Sequence, residues 1–264
     1  RFKQAQLSEA LQTHAWDEAS GAFGYVCHDA NRQPTGILRH ESGVNFNLGL
    51  GGAYPLVAGI CTPAQEARLV AALMSETRMW SRCGLSTVDQ SAPYYRDDGY
   101  WNGAVWMPHQ WYFWKALLDL GRADAAYRIA GTGLDVWKRE VERSYNCFEH
   151  FIVQTGRGAG WHHFGGLSTP VLSWYGAYYR PGRLTTGLDA WVSALHVGED
   201  RRRLSAELAL FGQAHHTPVV VATLEPAAAY ASTWNGEPVP HHERVPGAWE
   251  ITLPSGEARG RLDV

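Results

Sequence analysis

Long apolar runs, clustered basic charge and paired cysteines are all missing from this sequence, and each absence removes a class of protein. No stretch approaches the roughly 18–20 consecutive apolar residues of a membrane span. The opening residues, Arg1-Phe2-Lys3-Gln4, run directly into helix-like sequence without the apolar core of a signal peptide. Lys and Arg total 23 against 26 Asp and Glu, for a net charge of −3 with the signs scattered, which argues against a nucleic-acid partner. The one basic run, Arg201-Arg202-Arg203, follows Glu199 and Asp200 and reads as a solvated helix start. Cys27, Cys61, Cys83 and Cys147 are far apart and form no C-x-x-C pair. A structural zinc site is therefore not expected, and buried thiols in a reducing, cytoplasmic compartment are. There is no H-E-x-x-H and no G-x-S-x-G, and His162 and His163 are adjacent, so their rings diverge. No metal and no cofactor are expected.

What the chain has in excess is Trp and Tyr, twelve of each, alongside twelve His. Tryptophan in a core needs a partner for its N–H. A chain this rich in it is suited to binding something flat and partly polar, a description that sugar rings fit.

Periodicity predicts six helices. The first covers residues 7–16, with Ser8 as its cap, and is followed by a long loop over 17–43. The second covers 46–60 and contains Pro55. The third is capped by Thr62, has Pro63 in its first turn and runs towards Trp80. The fourth covers 103–120 and stops at Gly121. The fifth covers 123–141, with an apolar stripe at Ala126, Ile129, Ala130, Leu134, Trp137 and Val141 and a charged face that holds Glu140 and Glu142. The sixth starts near Ser168 with Pro170 in its first turn and ends at Tyr179. After Gly198 the character changes: residues 219–222, 248–253 and 260–264 read as strands. Domains are expected at 1–197 and 198–264. The second, fourth and sixth helices are apolar nearly all round, whereas the third and fifth are amphipathic. Two concentric rings of helices require that alternation, so the expected fold is mainly α, a helical toroid followed by a small β-rich, sandwich-like domain.

Two segments carry the chemistry. Residues 94–111 combine stacking platforms (Tyr100, Trp101, Trp106, Trp111) with polar groups (Asp97, Asn102, His109, Gln110) at the mouth of a buried helix. A pyranose has an apolar face and a ring of hydroxyls, and needs this mixture. Trp111 and Trp114 serve equally well as core. The other segment sets Glu149 among aromatics in Tyr145-Asn146-Cys147-Phe148-Glu149-His150-Phe151, ahead of Trp161-His162-His163. A carboxylate in such surroundings is either functional or paired. Glycoside hydrolysis uses two carboxyl groups flanking the scissile bond. Glu149 supplies one; Asp97, Asp98 and Asp89 are candidates for the other. His150, Trp161 and His163 join the candidate substrate contacts.

At these residues the sequence resembles the inverting glycosidases of the (α/α)6-barrel clan: glycoside hydrolase family 63, the trehalases and bacterial mannosylglycerate-hydrolase-like enzymes. Tyr100-Trp101-Asn102-Gly103-Ala104-Val105-Trp106 is similar to that group's Y-W-R-G-P-[IV]-W signature, with Asn102 and Ala104 departing from Arg and Pro. Phe148-Glu149-His150-Phe151 resembles its E-x-[YF] element, and Phe164 to Leu172 resembles the helix start that follows. The resemblance covers residues 16–195. It implies inverting hydrolysis of an α-glucoside or α-mannoside, with Glu149 as the base that deprotonates water. It also implies a general acid on a part of the barrel that lies upstream of these motifs. The six helices are about half of the double ring, so a second chain or an upstream segment is expected to complete it. The rival readings are a non-catalytic carbohydrate-binding or scaffold protein, and a toroidal polysaccharide lyase using Tyr and His.

Overall fold

The computed structural model describes residues 2–226, 229–256 and 258–264. Among the described residues six helices occur: α1 (Phe2–His14), α2 (Leu50–Val57), α3 (Pro63–Met74), α4 (Met107–Asp119), α5 (Ala123–Ser144) and α6 (Gly165–Tyr179). The expectation of a mainly α chain needs correction, because seventeen strands accompany them among the described residues. The segment 17–43, expected as loop, contributes to two small hairpins, β1 (Trp16–Asp17) with β2 (Ala22–Phe23) and β3 (Val26–His28) with β4 (Pro34–Ile37). Next come β5 (Trp80–Ser81) with β6 (Gly84–Leu85), and β7 (Phe148–Phe151) with β8 (Gly158–His162). The remaining strands are β9 (Arg183–Thr185), β10 (Ala190–Val197), β11 (Leu204–Leu210), β12 (Val219–Thr223), β13 (Thr233–Trp234), β14 (Glu237–Pro238), β15 (His241–Val245), β16 (Ala248–Thr252) and β17 (Ala258–Asp263). No helix among the described residues is long and apolar enough to cross a membrane.

The chain forms two compact units, one running to His109 and taking in Glu140–Phe164, the other made of Gln110–Arg139 and Gly165–Val264. In the first unit α3 begins as its sequence dictates. Thr62 Oγ1 accepts from the Gln65 amide at 3.3 Å and Gln65 Oε1 accepts from the Thr62 amide at 2.9 Å, a reciprocal cap worth about 1 kcal/mol. It stops at Met74, well short of Trp80, because Ser75 turns extended and Trp80 is taken into the β5–β6 hairpin.

α4 starts at Met107 rather than at 103. The N–H and C=O of Val105 pair with those of Phe151 in β7 and are unavailable to a helix. In α6, Pro170 lacks the N–H that would bond to the Gly166 carbonyl; the Thr169 hydroxyl donates to that carbonyl at 2.9 Å instead, and the helix runs through. Leu172, Tyr175 and Tyr179 on α6 are exposed, so this helix is not buried on most sides as its composition suggested. Gly121 closes α4 in the left-handed region (φ +69°), as expected from its place after Leu120.

The second unit carries two antiparallel sheets, ordered β10-β11-β17-β13-β14 and β15-β16-β12-β9. They share one core of Leu204, Leu208, Leu210 and Leu262 against Val220, Leu224 and Ile251. Each such side chain contributes about 1.5–3 kcal/mol on burial. The strands begin at β9 and β10, ahead of the compositional change at Gly198. Arg201-Arg202-Arg203 is not a helix start: Arg201 has φ +54°, the Gly198 amide donates to the Arg203 carbonyl, and the run forms the turn between β10 and β11.

Candidate active site

The first unit contains every predicted site residue but Gln110, which is buried, and Trp111; both belong to the second. The loop over 94–106 is built tightly enough to hold its aromatics in place. The Arg96 amide donates to the Asn102 carbonyl, Gly99 to Arg96 and Ala104 to Gly99. Gly103 is required here, since a β-carbon would fall 1.6 Å from the Arg96 carbonyl oxygen. Asn102 serves the same knot: its Nδ2 donates to the Tyr94 carbonyl at 2.8 Å, so the amide helps to fasten the loop. The Val105–Phe151 bridge then ties the loop to β7.

Between β7 and β8 the register slips by one residue: Phe148 pairs with His162 but His150 with Ala159, so the extra residue lies on β8, at Gly160–Trp161 opposite Glu149. Glu149, His150 and Phe151 are all buried in succession, so both faces of β7 are covered here. The Tyr100 hydroxyl donates to Glu149 Oε1 at 2.5 Å, and the Trp161 amide donates to Oε2 at 3.3 Å. Both contacts bring donors to the carboxylate oxygens. The hydrogen bond to Glu149 is the main reason the Tyr100 phenol is held above its ordinary range, with burial adding to it. His150 Nδ1 lies 3.9 Å from Oε2, has no hydrogen-bond partner, and burial lowers the imidazole's pKa against the pull of Glu149.

The aromatic side is an ordered stack. Trp101 lies parallel to Trp106, with ring centroids 4.4 Å apart and a 4° interplanar angle, and Trp106 continues onto His150 at 5.1 Å. Trp106 is buried and its indole N–H donates to the Tyr100 carbonyl at 2.9 Å. Trp101 is 59% exposed, so the outer end of the stack is an open apolar face. His109 meets Trp101 edge-on at 6.3 Å and shares a hydrogen bond through Nδ1 with the Tyr54 hydroxyl; burial lowers its pKa. Trp161 is exposed at the end of β8, and His163 beyond it is exposed with φ +58°. Trp111 and Trp114 lie in the second unit, where Lys115 sits over both rings and Trp114 is fully buried.

The three candidates for a second carboxyl group are placed differently. Asp89 is buried and fully occupied: Arg78 Nε donates to Oδ2 at 2.7 Å, and the Ser91 amide and hydroxyl donate to Oδ1. Asp97 accepts from Gln154 Nε2. Asp98 is exposed, 3.7 Å from Arg96. Two supporting residues were not singled out from sequence. Glu140, expected on the charged face of α5, is buried; it takes Arg157 Nε at 2.7 Å and Nη2 at 3.0 Å and the Gly158 amide at 3.0 Å, which anchors β8. Gly160 on β8 has φ +76°, and a β-carbon there would fall 2.4 Å from Glu149 Oε2. The Gly158-Ala159-Gly160 spacing was the only sequence sign of it.

A family model described as the mannosylglycerate hydrolase MGH1-like glycoside hydrolase domain matches residues 1–165, a span that includes both the Tyr100–Trp106 loop and the Glu149 hairpin. The chain belongs to this MGH1-like glycoside hydrolase family. Mannosylglycerate hydrolase from Thermus thermophilus is 32% identical over 127 residues, 47% of this chain and 28% of that protein. Mannosyl-oligosaccharide glucosidase from Saccharomyces cerevisiae is 27% identical over 125 residues, 41% of this chain and 15% of that protein. The chain thus spans well under half the length of these relatives. Among solved structures, an uncharacterized conserved protein, also from Thermus thermophilus, shares the fold with a TM-score of 0.50 at 24% identity, over 65% of this chain and 38% of the other. The MGH1-like match ends at residue 165, where α6 begins.

Proposed function

We propose that this chain carries the base and the sugar platform of an inverting glycoside hydrolase acting on an α-mannoside or α-glucoside. The observation that supports this reading most directly is Glu149. It is a buried carboxylate met by two donors, beside an aromatic stack whose outer face is open. In the proposed reaction Glu149 takes a proton from water as the water oxygen bonds to the anomeric carbon. The glycosidic bond pair leaves with the departing oxygen, which is protonated by an acid carboxyl group. An inverting pair of carboxyl groups lies about 6.5–9.5 Å apart to admit the water. Asp89 is committed to Arg78 and Ser91, Asp97 accepts from Gln154, and Asp98 is exposed beside Arg96; the acid is assigned to a segment upstream of these motifs or to a second chain. With it goes a fold reading in which the six helices form about half of a double ring and the later strands a small β-rich, sandwich-like appendage.

The same commitment of Asp89 favours a second reading, a sugar-binding protein that lacks its acid. Incubating the protein with α-mannosides and α-glucosides, mannosylglycerate among them, and following the anomeric proton by NMR separates the two. Release of the β-anomer that disappears in Glu149→Gln while binding survives supports hydrolysis. Binding without turnover under every condition, including addition of a partner chain, would leave only the second reading.

A further inference from the structure

We propose that Tyr100 is a positioning residue rather than a sugar platform: it holds Glu149 Oε1 so that Oε2 is the oxygen that takes the proton from water. This rests on the hydrolytic reading above.

The ring of Tyr100 is framed on several sides. Trp101, Trp106 and His150 each meet it edge to face, at interplanar angles of 87°, 90° and 86° and centroid distances of 5.2, 4.8 and 5.2 Å. Its backbone carbonyl is tied to the Trp106 indole, and the loop behind it is knotted through Gly103 and Asn102. The phenol therefore cannot swing out to stack on a ligand without breaking the Trp101–Trp106–His150 array. Its single O–H proton is already given to Oε1 at 2.5 Å, so it has no donor left for a sugar hydroxyl.

The two carboxylate oxygens are accordingly unequal. Oε1 accepts a short bond from a fixed donor. Among the described residues Oε2 accepts the longer, 3.3 Å amide bond of Trp161, and Gly160 packs beside it with no side chain between them. A carboxylate oxygen with spare lone-pair capacity is the one able to receive a proton. The proton moves from water to Oε2; the water oxygen's electron pair goes to the anomeric carbon, as in the step above. The raised phenol titration of Tyr100, caused first by the bond to Glu149, agrees with this arrangement.

Two measurements test it. In the protein labelled with 13Cζ-tyrosine, the Tyr100 resonance, assigned from Tyr100→Phe, is followed by NMR as the phenol titrates. It is expected to titrate at lower pH in Glu149→Gln than in the wild type. The same titration point in both forms overturns the contact, with or without turnover, so a failure of hydrolysis counts against the general-base reading alone. In kinetics, Tyr100→Phe keeps the ring packing; the loss of a hydrogen bond to a charged group is expected to lower kcat about 10- to 100-fold with KM little changed. A raised KM at unchanged kcat would restore Tyr100 as a substrate platform and overturn the proposal.

Discussion

Gly160 and Glu149 face each other across the β7–β8 hairpin so closely that a β-carbon on the glycine would lie 2.4 Å from Oε2 of the carboxylate and 2.8–2.9 Å from the His150 ring. The glycine also sits at φ +76°, where an L-residue is strained by about 1–2 kcal/mol. Gly160→Ala is thus expected to displace the carboxylate as well as to strain the strand. Turnover should fall as far as in Glu149→Gln, whereas unfolding free energy should fall by only about 1–3 kcal/mol. Activity within twofold of wild type would show that Oε2 is not held where the hairpin puts it.

Trp101 and Trp106 form one stack yet differ in consequence. Trp106 is buried and bonded to the Tyr100 carbonyl, so Trp106→Ala should destabilise by about 3–5 kcal/mol in urea unfolding. Trp101 is mostly exposed; Trp101→Ala should leave stability within about 1 kcal/mol and weaken glycoside binding about tenfold, read by calorimetry. Equal losses of stability in the two variants would contradict the division.

Acid should loosen the hairpin through Glu140. The Arg157 guanidinium beside it, helped by the Gly158 amide and opposed by burial, lowers its pKa from 4.5 to about 2. A carboxylate with a depressed folded value stabilises fully above its unfolded value and loses that contribution as pH falls from 4.5 towards 2. Glu140→Gln should flatten the pH dependence of unfolding in that window. It should also cost about 1–3 kcal/mol at neutral pH, the lower part of the range for ion pairs because Arg157 is 38% exposed and stays solvated once its partner is gone. A pH–stability curve parallel to wild type would remove this role.

Asp119 in the second unit works in the opposite direction. Burial raises its carboxyl from 3.8 to about 7, against the Leu188 and Asp189 amides that bond to it at 2.6 and 3.1 Å. The folded state therefore keeps a proton that the unfolded chain gives up, and stability should fall as pH rises from 3.8 to about 7. Asp119→Asn should abolish that slope in urea unfolding measured across the window; an unchanged slope would place its origin elsewhere.

The sequence by itself determined what depends on near neighbours. The Thr62–Gln65 cap, the stop at Gly121 and the presence of six helices follow from contacts within a turn or two, which residue type and spacing encode directly. The mixture of aromatic and polar groups in the two motif segments was equally visible, because it is a matter of composition. Tertiary structure alone decided how those groups are used. Tyr100 and Glu149 are 49 residues apart and meet because a bridge from Val105 to Phe151 fixes one loop on one strand. A one-residue bulge on β8, opposite Glu149, then brings the Trp161 amide to its carboxylate, a register shift that the period of β7 does not record. Glu140 had the sequence context of a solvated helix face, and only the arrival of Arg157 and the Gly158 amide made its burial affordable. The strands from Arg183 onward likewise take their place from partners far along the chain, as β9 does from β12. Local chemistry wrote the elements; register and long-range pairing, which no window of sequence contains, set the carboxylate among its donors.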